Sequence, residues 1–382
     1  MSTSAAAAPV PSAVRAAPSR APRRLLLFNL VTDADDPILG FTSRWIAALA
    51  ARVESVDVVT MTAGRIDLPA NVTVHSLGKE RGYSEPRRAV EFYRILLRVL
   101  SGKRIDGCFS HMNPLFSAMA APLLRPRGIP LVTWYAHPSL TRTLKLAHLA
   151  SNRMVTSLPA AYPYRHDKVS VIGQGIDVDL FVPGESPRGN LPLVLCAGRL
   201  SPVKDHGTLL RATRLLRDRG MDFRVAIVGR AAGSATEYPQ TLRDQVRDLG
   251  LEDVVAFEPA VPMEQLVGWY QRCTVHVNLT PAGFGDKVAW EAMSCGRPCL
   301  VANDEMRETL GREAGRLHFR HGDAESLAET LGALLREPAE TLDEIGAYLR
   351  SQVIRLHSLD ALAGKILALL EAERAPRARA AA

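Results

Sequence analysis

The chain has little of what marks a secreted, membrane-spanning or disulfide-stapled protein. Its five cysteines are odd in number and lie mostly in apolar runs, which favours buried, reduced thiols over a disulfide framework. No stretch approaches the ~18–20 uninterrupted apolar residues of a membrane span. Residues 1–22 lack the continuous apolar segment of a secretory signal. We therefore expect a cytoplasmic protein, either free or peripheral at the inner face of the membrane.

Patterns for metal and nicotinamide chemistry are also missing. Cys295 and Cys299 are four residues apart, but no His or Cys is placed near them to complete a metal site. Neither half of the chain opens with the G-x-G-x-x-G loop of dinucleotide-binding enzymes. We expect no bound metal and no cofactor, and an oxidoreductase is disfavoured.

Excess positive charge is confined to the two ends of the chain. The net charge of +7 equals the charge of seven terminal arginines, Arg15, Arg20, Arg23, Arg24, Arg374, Arg377 and Arg379. The remaining basic and acidic residues, 40 of each, cancel. A phosphate-tracking groove is therefore not expected, and we predict no nucleic-acid partner. The compositions predict a disordered head over residues 1–22 and a basic tail over residues 374–382.

Between the ends, short apolar runs alternate with helical patterns. The predicted strands are Leu25–Val31, Val56–Thr60, Val72–Leu77, Gly107–His111, Leu131–Tyr135, Arg153–Ser157, Val169–Ile172, Leu193–Ala197, Arg224–Val228, Val254–Phe257, Val275–Leu279 and Pro298–Val301. Helical periodicity separates most of them, for example over Ser43–Arg52, His206–Arg219, Tyr238–Leu249 and Met263–Cys273. Such alternation is typical of α/β folds with doubly wound parallel sheets.

The alternation restarts near residue 191, after a linker rich in proline and glycine. This linker, Phe181–Pro192, has no apolar periodicity. We therefore predict two Rossmann-like domains, over residues 23–184 and 185–356. A last helix within residues 357–373 follows a bend and could pack on either domain.

One candidate site lies where a predicted strand turns into a helix. The strand ends at Gly198, and Arg199 and Lys204 bracket the turn. Strand carboxyl ends in open α/β sheets face the ligand crevice, and two cations beside a helix N-terminus suit a diphosphate. By spacing alone, two solvated cations in a surface loop are the more common arrangement.

A second candidate site is a glycine-rich loop that leads into an apolar helix. Gly283 and Gly285 would let backbone amides approach a ligand closely. Asp286 is placed to cap the helix, and Glu291 lies inside an apolar turn of it. A carboxylate in such surroundings is rarely unpaired. It either meets an internal partner, such as Lys287, or accepts hydrogen bonds from ligand hydroxyls.

Together these segments resemble glycosyltransferase family 4, a family of retaining, nucleotide-sugar-dependent enzymes with the GT-B fold. The resemblance is carried by Val171–Phe181, Gly198–Lys204 and Trp290–Pro298. It implies two Rossmann-like domains facing across a cleft. The first, over residues 23–184, would bind the acceptor, and the second, over residues 185–356, the donor.

The resemblance also implies roles for the donor-domain residues. Arg199 and Lys204 match the family residues that neutralise the donor diphosphate, with Gly198 and Val261 in the same nucleotide site. Glu291 matches the glutamate that binds the ribose hydroxyls. The implied reaction transfers a sugar with retention, and the implied acceptor is a glycan or a lipid-linked molecule.

The glycine-rich loop departs from the family pattern. Many members carry a first glutamate eight residues before the second, where it contacts the donor sugar, but position 283 is glycine here. We expect the sugar contacts to come from the residues that remain, Gly283, Phe284, Gly285, Asp286 and Lys287. The identity of the donor sugar is left open.

In the first domain the candidates follow predicted strands. His137 resembles the family histidine near the transferred sugar, and Gly40 matches a glycine loop close to the donor phosphates and acceptor. His111 and Asn113 end a neighbouring strand on the acceptor side. A lone histidine at a strand end is otherwise a packed surface residue. Two other functions stay open, a nucleotide-sugar epimerase of the same fold and a non-catalytic sugar-nucleotide-binding protein.

One predicted helix, Pro86–Leu100, is strongly basic on one side. Its polar stripe contains Arg87, Glu91, Arg94 and Arg98, opposite an apolar face of Val90, Phe92, Leu96 and Leu100. Residues 79–104 hold eight basic and three acidic residues. This favours either a solvated basic face or peripheral contact with an anionic membrane.

Overall fold

The computed structural model describes residues 24–374, apart from Pro37, Lys103, 186–190 and 232–235. The predicted disordered head over residues 1–22 lies outside the described residues, as does the predicted tail from residue 375 onward.

In the described part of the chain, twelve strands form two parallel sheets. They are β1 Arg24–Thr32, β2 Ser55–Ala63, β3 Val72–Ser76, β4 Gly107–His111, β5 Leu131–Trp134, β6 Arg153–Thr156, β7 Val169–Val171, β8 Leu193–Ala197, β9 Arg224–Val228, β10 Val255–Glu258, β11 Val275–Asn278 and β12 Cys299–Val301. Each coincides with a predicted strand to within three residues at either end, and the largest difference is at the end of β2.

The α-helices of the described residues alternate with these strands. They are α1 Phe41–Ala50, α2 Glu85–Ser101, α3 Pro114–Leu124, α4 Arg142–Ala150, α5 His206–Asp218, α6 Tyr238–Asp248, α7 Met263–Arg272, α8 Lys287–Ser294, α9 Arg307–Leu310, α10 Ala314–Leu317, α11 Ala324–Leu335, α12 Ala339–His357 and α13 Leu359–Arg374.

The first sheet has the order β3-β2-β1-β4-β5-β6-β7. Its strands are apolar on both faces because helices cover both. On one face Trp45 of α1 and Ile366 of α13 pack with Leu25 of β1. On the other face Phe92 of α2 and Phe116 of α3 pack with Phe28 of β1.

The second sheet has the order β10-β9-β8-β11-β12. Its core includes Trp290 of α8 and Tyr270 of α7, both fully buried. The carboxyl ends of β8 and β11 lie side by side because these strands are neighbours. The loops that carry both candidate segments of the second domain therefore start from the same edge of the sheet.

The chain returns to the first domain at its end. α12 packs in the second core through Leu349 and Val353. It ends at His357, where Ile176 accepts a hydrogen bond from Leu359 N at 2.7 Å. The following helix, α13, packs on the first sheet. The sequence left the choice of domain open, and apolar residues recur at helical spacing on the face that α13 buries.

The position of Val90 in α2 differs from the expectation. Phe92 and Leu96 are buried, but Val90 is 66% exposed. Val90 instead lies on an exposed apolar stripe with Tyr93 and Leu97. The apolar face predicted for α2 was too wide, because a surface helix contacts its domain through a stripe of about 100°.

Candidate active site

The first candidate segment forms a tight turn at the carboxyl edge of the second sheet. Gly198, directly after β8, has a φ of 131°, which residues with side chains rarely adopt. A Cβ added to Gly198 would lie 3.4 Å from the Lys204 Nζ. Arg199 is exposed, and α5 begins two residues after Lys204. The turn thus combines two cations with the positive end of a helix.

Lys204 is held by a carboxylate from the second candidate segment. Its Nζ donates a hydrogen bond to Asp286 Oδ2. The same oxygen accepts from Asn278 Nδ2 at 2.6 Å and from Thr280 Oγ1 at 2.9 Å. Burial raises the pKa of Asp286, but Lys204 and the hydrogen bonds outweigh it, so the pKa lies below its usual range. The carboxylate is therefore charged at neutral pH.

This pairing corrects the capping prediction for Asp286. The residue occupies the N-cap position of α8, but its side chain makes no capping hydrogen bond. The carboxylate faces Lys204 instead, because a buried ammonium group without a counter-charge costs more than an uncapped amide.

Glu291 is buried inside α8, as its apolar neighbours predicted. Its Oε2 accepts a hydrogen bond from the Tyr270 hydroxyl at 2.9 Å. Burial raises the pKa of Glu291, and the nearby Lys287 charge opposes that rise. The sequence left a choice between an internal partner and a ligand. The structure supplies Tyr270 as an internal partner on one oxygen.

Lys287 reaches from the second domain into the first. Its Nζ lies 2.9 Å from the centre of the Phe41 ring and 5.5 Å from that of Trp45, both in α1. Aromatic faces attract cations, but the Lys287 ammonium group is desolvated in this position. Burial accordingly lowers the pKa of Lys287, and the Glu291 charge opposes the change. Lys287 joins the two domains at the floor of the cleft.

A residue that the sequence did not single out, Glu305, connects the glycine-rich loop to the first domain. Its Oε2 accepts from Gly283 N at 3.0 Å, and its Oε1 accepts from Ala160 N at 2.6 Å. Glu305 follows the carboxyl end of β12, and position at a strand end was the signal that could have indicated it. Phe284, next in the loop, meets His137 edge-on at 5.9 Å.

Gly285 marks the closest approach of the two domains in this loop. A Cβ there would lie 2.5 Å from Ser157 Oγ and 3.3 Å from Gln174 Oε1. Gln174 Nε2 donates to Gly285 O at 3.3 Å. Only a residue without a side chain allows this contact.

The first-domain candidates fall into two groups. His137 is exposed, with Nδ1 accepting from Ser139 N at 3.2 Å, and it faces the glycine-rich loop through Phe284. Gly40 precedes α1, and a Cβ there would lie 2.6 Å from Asp36 O. The compact backbone of this loop thus explains why position 40 is glycine.

His111 and Asn113 take part in the first domain's own packing. His111 is buried among Phe41, Trp45 and Trp134, and burial lowers its pKa to about 3. Asn113 Oδ1 caps α3 by accepting from Phe116 N at 3.3 Å. In the second domain, Val261 is half-buried in the loop after β10.

Two other kinds of feature are absent from residues 24–374 outside the gaps given above. Within that range no three His, Cys, Asp or Glu side chains are grouped as metal ligands. No described helix is both long and apolar enough to cross a membrane.

The architecture places the chain among the GT-B proteins. The sucrose-phosphate synthase from Thermosynechococcus elongatus has a similar fold, with a TM-score of 0.73 and 18% identity, over 94% of this chain and 100% of that one. The Anabaena protein HepE in complex with UDP gives a TM-score of 0.70 at 16% identity, over 91% and 100% of the two chains. The predicted fold class, two Rossmann-like domains across a cleft, is confirmed.

Sequence comparison then shows which proteins the chain is similar to. Residues 181–352 match the model for glycosyl transferases, group 1. A D-inositol 3-phosphate glycosyltransferase from Frankia alni is 33% identical over 185 residues, which is 45% of this chain and 46% of the relative. A Kribbella flavida protein of the same name is 26% identical over 78% of this chain and 81% of its own length. The chain spans about half the length of the Frankia relative. Over residues 181–352 the chain is similar to the group 1 glycosyl transferases, which supports the resemblance drawn from its motifs.

Proposed function

We propose that the protein is a glycosyltransferase that moves a sugar from a nucleoside diphosphate donor to an acceptor hydroxyl. The observation that carries this proposal is the turn after β8, where Arg199 and Lys204 lie beside the start of α5. A diphosphate carries two or more negative charges and suits such a site. The family match covers this turn.

The proposed reaction proceeds with retention at the anomeric carbon. The bond from that carbon to the diphosphate breaks, and a bond to the acceptor oxygen forms on the same face. The acceptor proton passes to the departing phosphate oxygen. Arg199 and Lys204 stabilise the charge that develops on the diphosphate, without a metal or other cofactor. Closure of the two domains excludes water from the sugar.

We assign the nucleoside to the surroundings of Glu291. One carboxylate oxygen is held by Tyr270, so the other remains to accept from the ribose hydroxyls. Gly198 and Val261 complete the nucleotide contacts. The sugar would lie against the loop of Gly283–Lys287, with Glu305 added to that set.

We place the acceptor on the first domain, between His137 and the cleft face of α1. Its chemistry would be a glycan, a lipid-linked sugar or a phosphorylated polyol. The last is suggested by the inositol phosphate in the names of the relatives. Gly40 would border this subsite, and the buried His111 and Asn113 would support it from within the first domain.

A panel of nucleotide sugars tests the proposal. Release of nucleoside diphosphate is measured with and without inositol phosphates and glycans, and the anomeric configuration of the product is read by NMR. We expect one donor to be used, with retention, at a rate that a chelator leaves unchanged. Epimerised donor formed without acceptor, or donor binding without turnover across the panel, would contradict the proposal.

We also propose peripheral contact with an anionic membrane through residues 79–104. Val90, Tyr93 and Leu97 are 66%, 40% and 45% exposed on one stripe of α2. Arg94 and Arg98 are exposed on the adjoining stripe. Apolar side chains beside cations are what an anionic lipid surface binds, with on the order of 1 kcal/mol from each basic residue.

Co-sedimentation with vesicles tests the membrane contact. A version lacking residues 1–22 is used, so that the arginines of the head cannot supply the binding. We expect binding to phosphatidylserine vesicles that weakens as salt rises and is lost in Val90→Ser/Leu97→Ser. A trimmed protein that ignores these vesicles at low salt would exclude this contact.

A further inference from the structure

The two cations of the turn after β8 are held in different ways. Arg199 is exposed and forms no ion pair within the described part of the chain. The Lys204 side chain is only 12% exposed and is paired with Asp286. A buried lysine that must also bind a diphosphate has to keep its charge and its position before the ligand arrives.

Asp286 is itself fixed from three segments of the second domain. Lys204 comes from the turn before α5, Asn278 ends β11, and Thr280 lies in the loop that follows. Asn278 and Thr280 are 3% and 2% exposed, and both donate to the same oxygen that Lys204 contacts. Such a carboxylate stays in place when a ligand approaches, since withdrawing it would leave buried donors unpaired.

We propose that Asp286 is a positioning residue that holds the Lys204 ammonium group over Gly198 and remains bound to it while the diphosphate is present. An ammonium group has three N–H donors. One is taken by Asp286, and the other two stay available to phosphate oxygens. This inference rests on the proposed function, because it gives Lys204 a diphosphate to bind.

The arrangement has a consequence for binding and for rate. Asp286 adds a negative charge close to the diphosphate site, so it does not favour binding of the ground state. Its benefit lies in the orientation of Lys204 toward charge that develops as the sugar leaves. Loss of Asp286 should therefore lower kcat, with little or no weakening of nucleoside diphosphate binding.

The test uses Asp286→Asn, Asp286→Glu and Lys204→Ala in the full chain, with the best donor of the panel and with UDP and GDP as product probes. For Asp286→Asn we expect kcat to fall at least tenfold and the inhibition constant of the nucleoside diphosphate to stay within threefold or to tighten. In Asp286→Glu the charge is kept but the carboxylate is displaced by one methylene, so kcat should also fall while the inhibition constant stays within threefold.

A double-mutant cycle shows whether Asp286 acts through Lys204. Adding Asp286→Asn to Lys204→Ala should change kcat by less than threefold. Thr213→Val is the matched control, since it removes a buried hydrogen bond to Leu209 O away from the site. It should leave kcat and the inhibition constant of the nucleoside diphosphate unchanged.

Several outcomes would overturn the inference. They are normal kcat in Asp286→Asn, additive losses in the cycle, or equal losses in kcat and product affinity. If Asp286→Asn fails to fold, an unchanged kcat in Asp286→Glu overturns it as well. Absence of turnover by the native protein across the donor panel would instead contradict the proposed function.

Discussion

The proposed donor site contains a few charged residues, each with its own partners, and is not a broad basic surface. Asp286, Glu291 and Lys287 all lie within or beside one helix, α8. Glu291 is buried, and Asp286 and Lys287 are half-buried. Asp286 keeps its charge because Lys204 and two neutral donors contact it. The Glu291 and Lys287 pKa values are shifted toward the neutral forms because burial outweighs their mutual attraction.

The basic pair itself gives the first prediction. Arg199→Ala and Lys204→Ala should each cost about 2–4 kcal/mol in kcat/KM, the scale for losing one preorganised charge partner. Steady-state kinetics with the best donor measure the loss. Arg247→Ala removes an exposed arginine of α6 that pairs with Asp244, and it should leave kcat/KM unchanged. Near-normal turnover in the double Arg199/Lys204 variant would contradict the assignment of these residues to the donor diphosphate.

Glu291 gives the second prediction. If its free oxygen binds the ribose, Glu291→Gln should weaken binding of the nucleoside diphosphate but not of its 2′-deoxy form, so the native preference between them shrinks. Calorimetric titration with both ligands measures this. Tyr270→Phe is the companion variant, because it frees the oxygen that Tyr270 holds and should leave the preference in place. A preference unchanged in Glu291→Gln would mean that Glu291 only supports the helix.

Lys287 gives a third prediction, on stability and pH. Its folded-state pKa is lowered to about 7 from 10.5, so the unfolded chain binds more protons between those values. Stability should therefore rise with pH through that window. Lys287→Met should abolish the rise and should stabilise the protein most near pH 7. Melting curves from pH 7 to 10 measure both effects, and parallel curves for the two proteins would contradict the burial of this lysine.

At the scale of elements, the glycine-rich loop gives the fourth prediction. In Gly285→Ala the new Cβ would press on Ser157 Oγ at 2.5 Å and force the domains apart. We expect kcat/KM to fall tenfold or more and the radius of gyration from small-angle scattering to increase. Gly315→Ala in α10 meets nothing within 4 Å and should change neither quantity. A normal radius and rate in Gly285→Ala would show that the loop moves aside freely.

The elements could be predicted more fully than the contacts between them. Each strand was visible as a short apolar run between helical patterns, because a strand buried on both faces leaves that pattern in sequence. The turn of Arg199 and Lys204 was predictable for the same reason, since it follows such a strand. Glu305 was missed and the contact of Asp286 was assigned wrongly, because both depend on which loops meet across a parallel sheet. That meeting is set by strand order, which local patterns do not encode.

At the scale of the whole molecule, the chain crosses between the domains twice. It passes from β7 to β8 and returns from α12 to α13 beside Ile176. Arg44 of α1 adds ion pairs to Asp177 at 2.8 Å and to Glu264 at 3.3 Å, and Glu264 lies in the second domain. The two crossings lie close together, so we expect any opening of the cleft to bend the chain there and to leave both sheets intact.

The return crossing gives the last prediction, that the final helix stabilises the first domain. Leu370 of α13 is fully buried, with its Cδ2 only 3.2 Å from where a Cβ on Gly107 of β4 would lie. Leu370→Ala should cost about 2–5 kcal/mol, through lost burial and the cavity left behind. Hydrogen exchange should report the loss in β1, β4 and β5, which are more than 200 residues away in the chain.

Leu349→Ala is the matched variant, because Leu349 is equally buried but belongs to α12 and the second core. It should lower protection in β8, β11 and β12 and spare the first sheet. If Leu370→Ala instead loosened the second sheet, α13 would belong to the donor domain. If both variants loosened both sheets equally, the two domains would unfold as one cooperative unit. If the two cores are independent and joined only at the crossings, each variant should lower hydrogen-exchange protection in one sheet and leave the other unchanged.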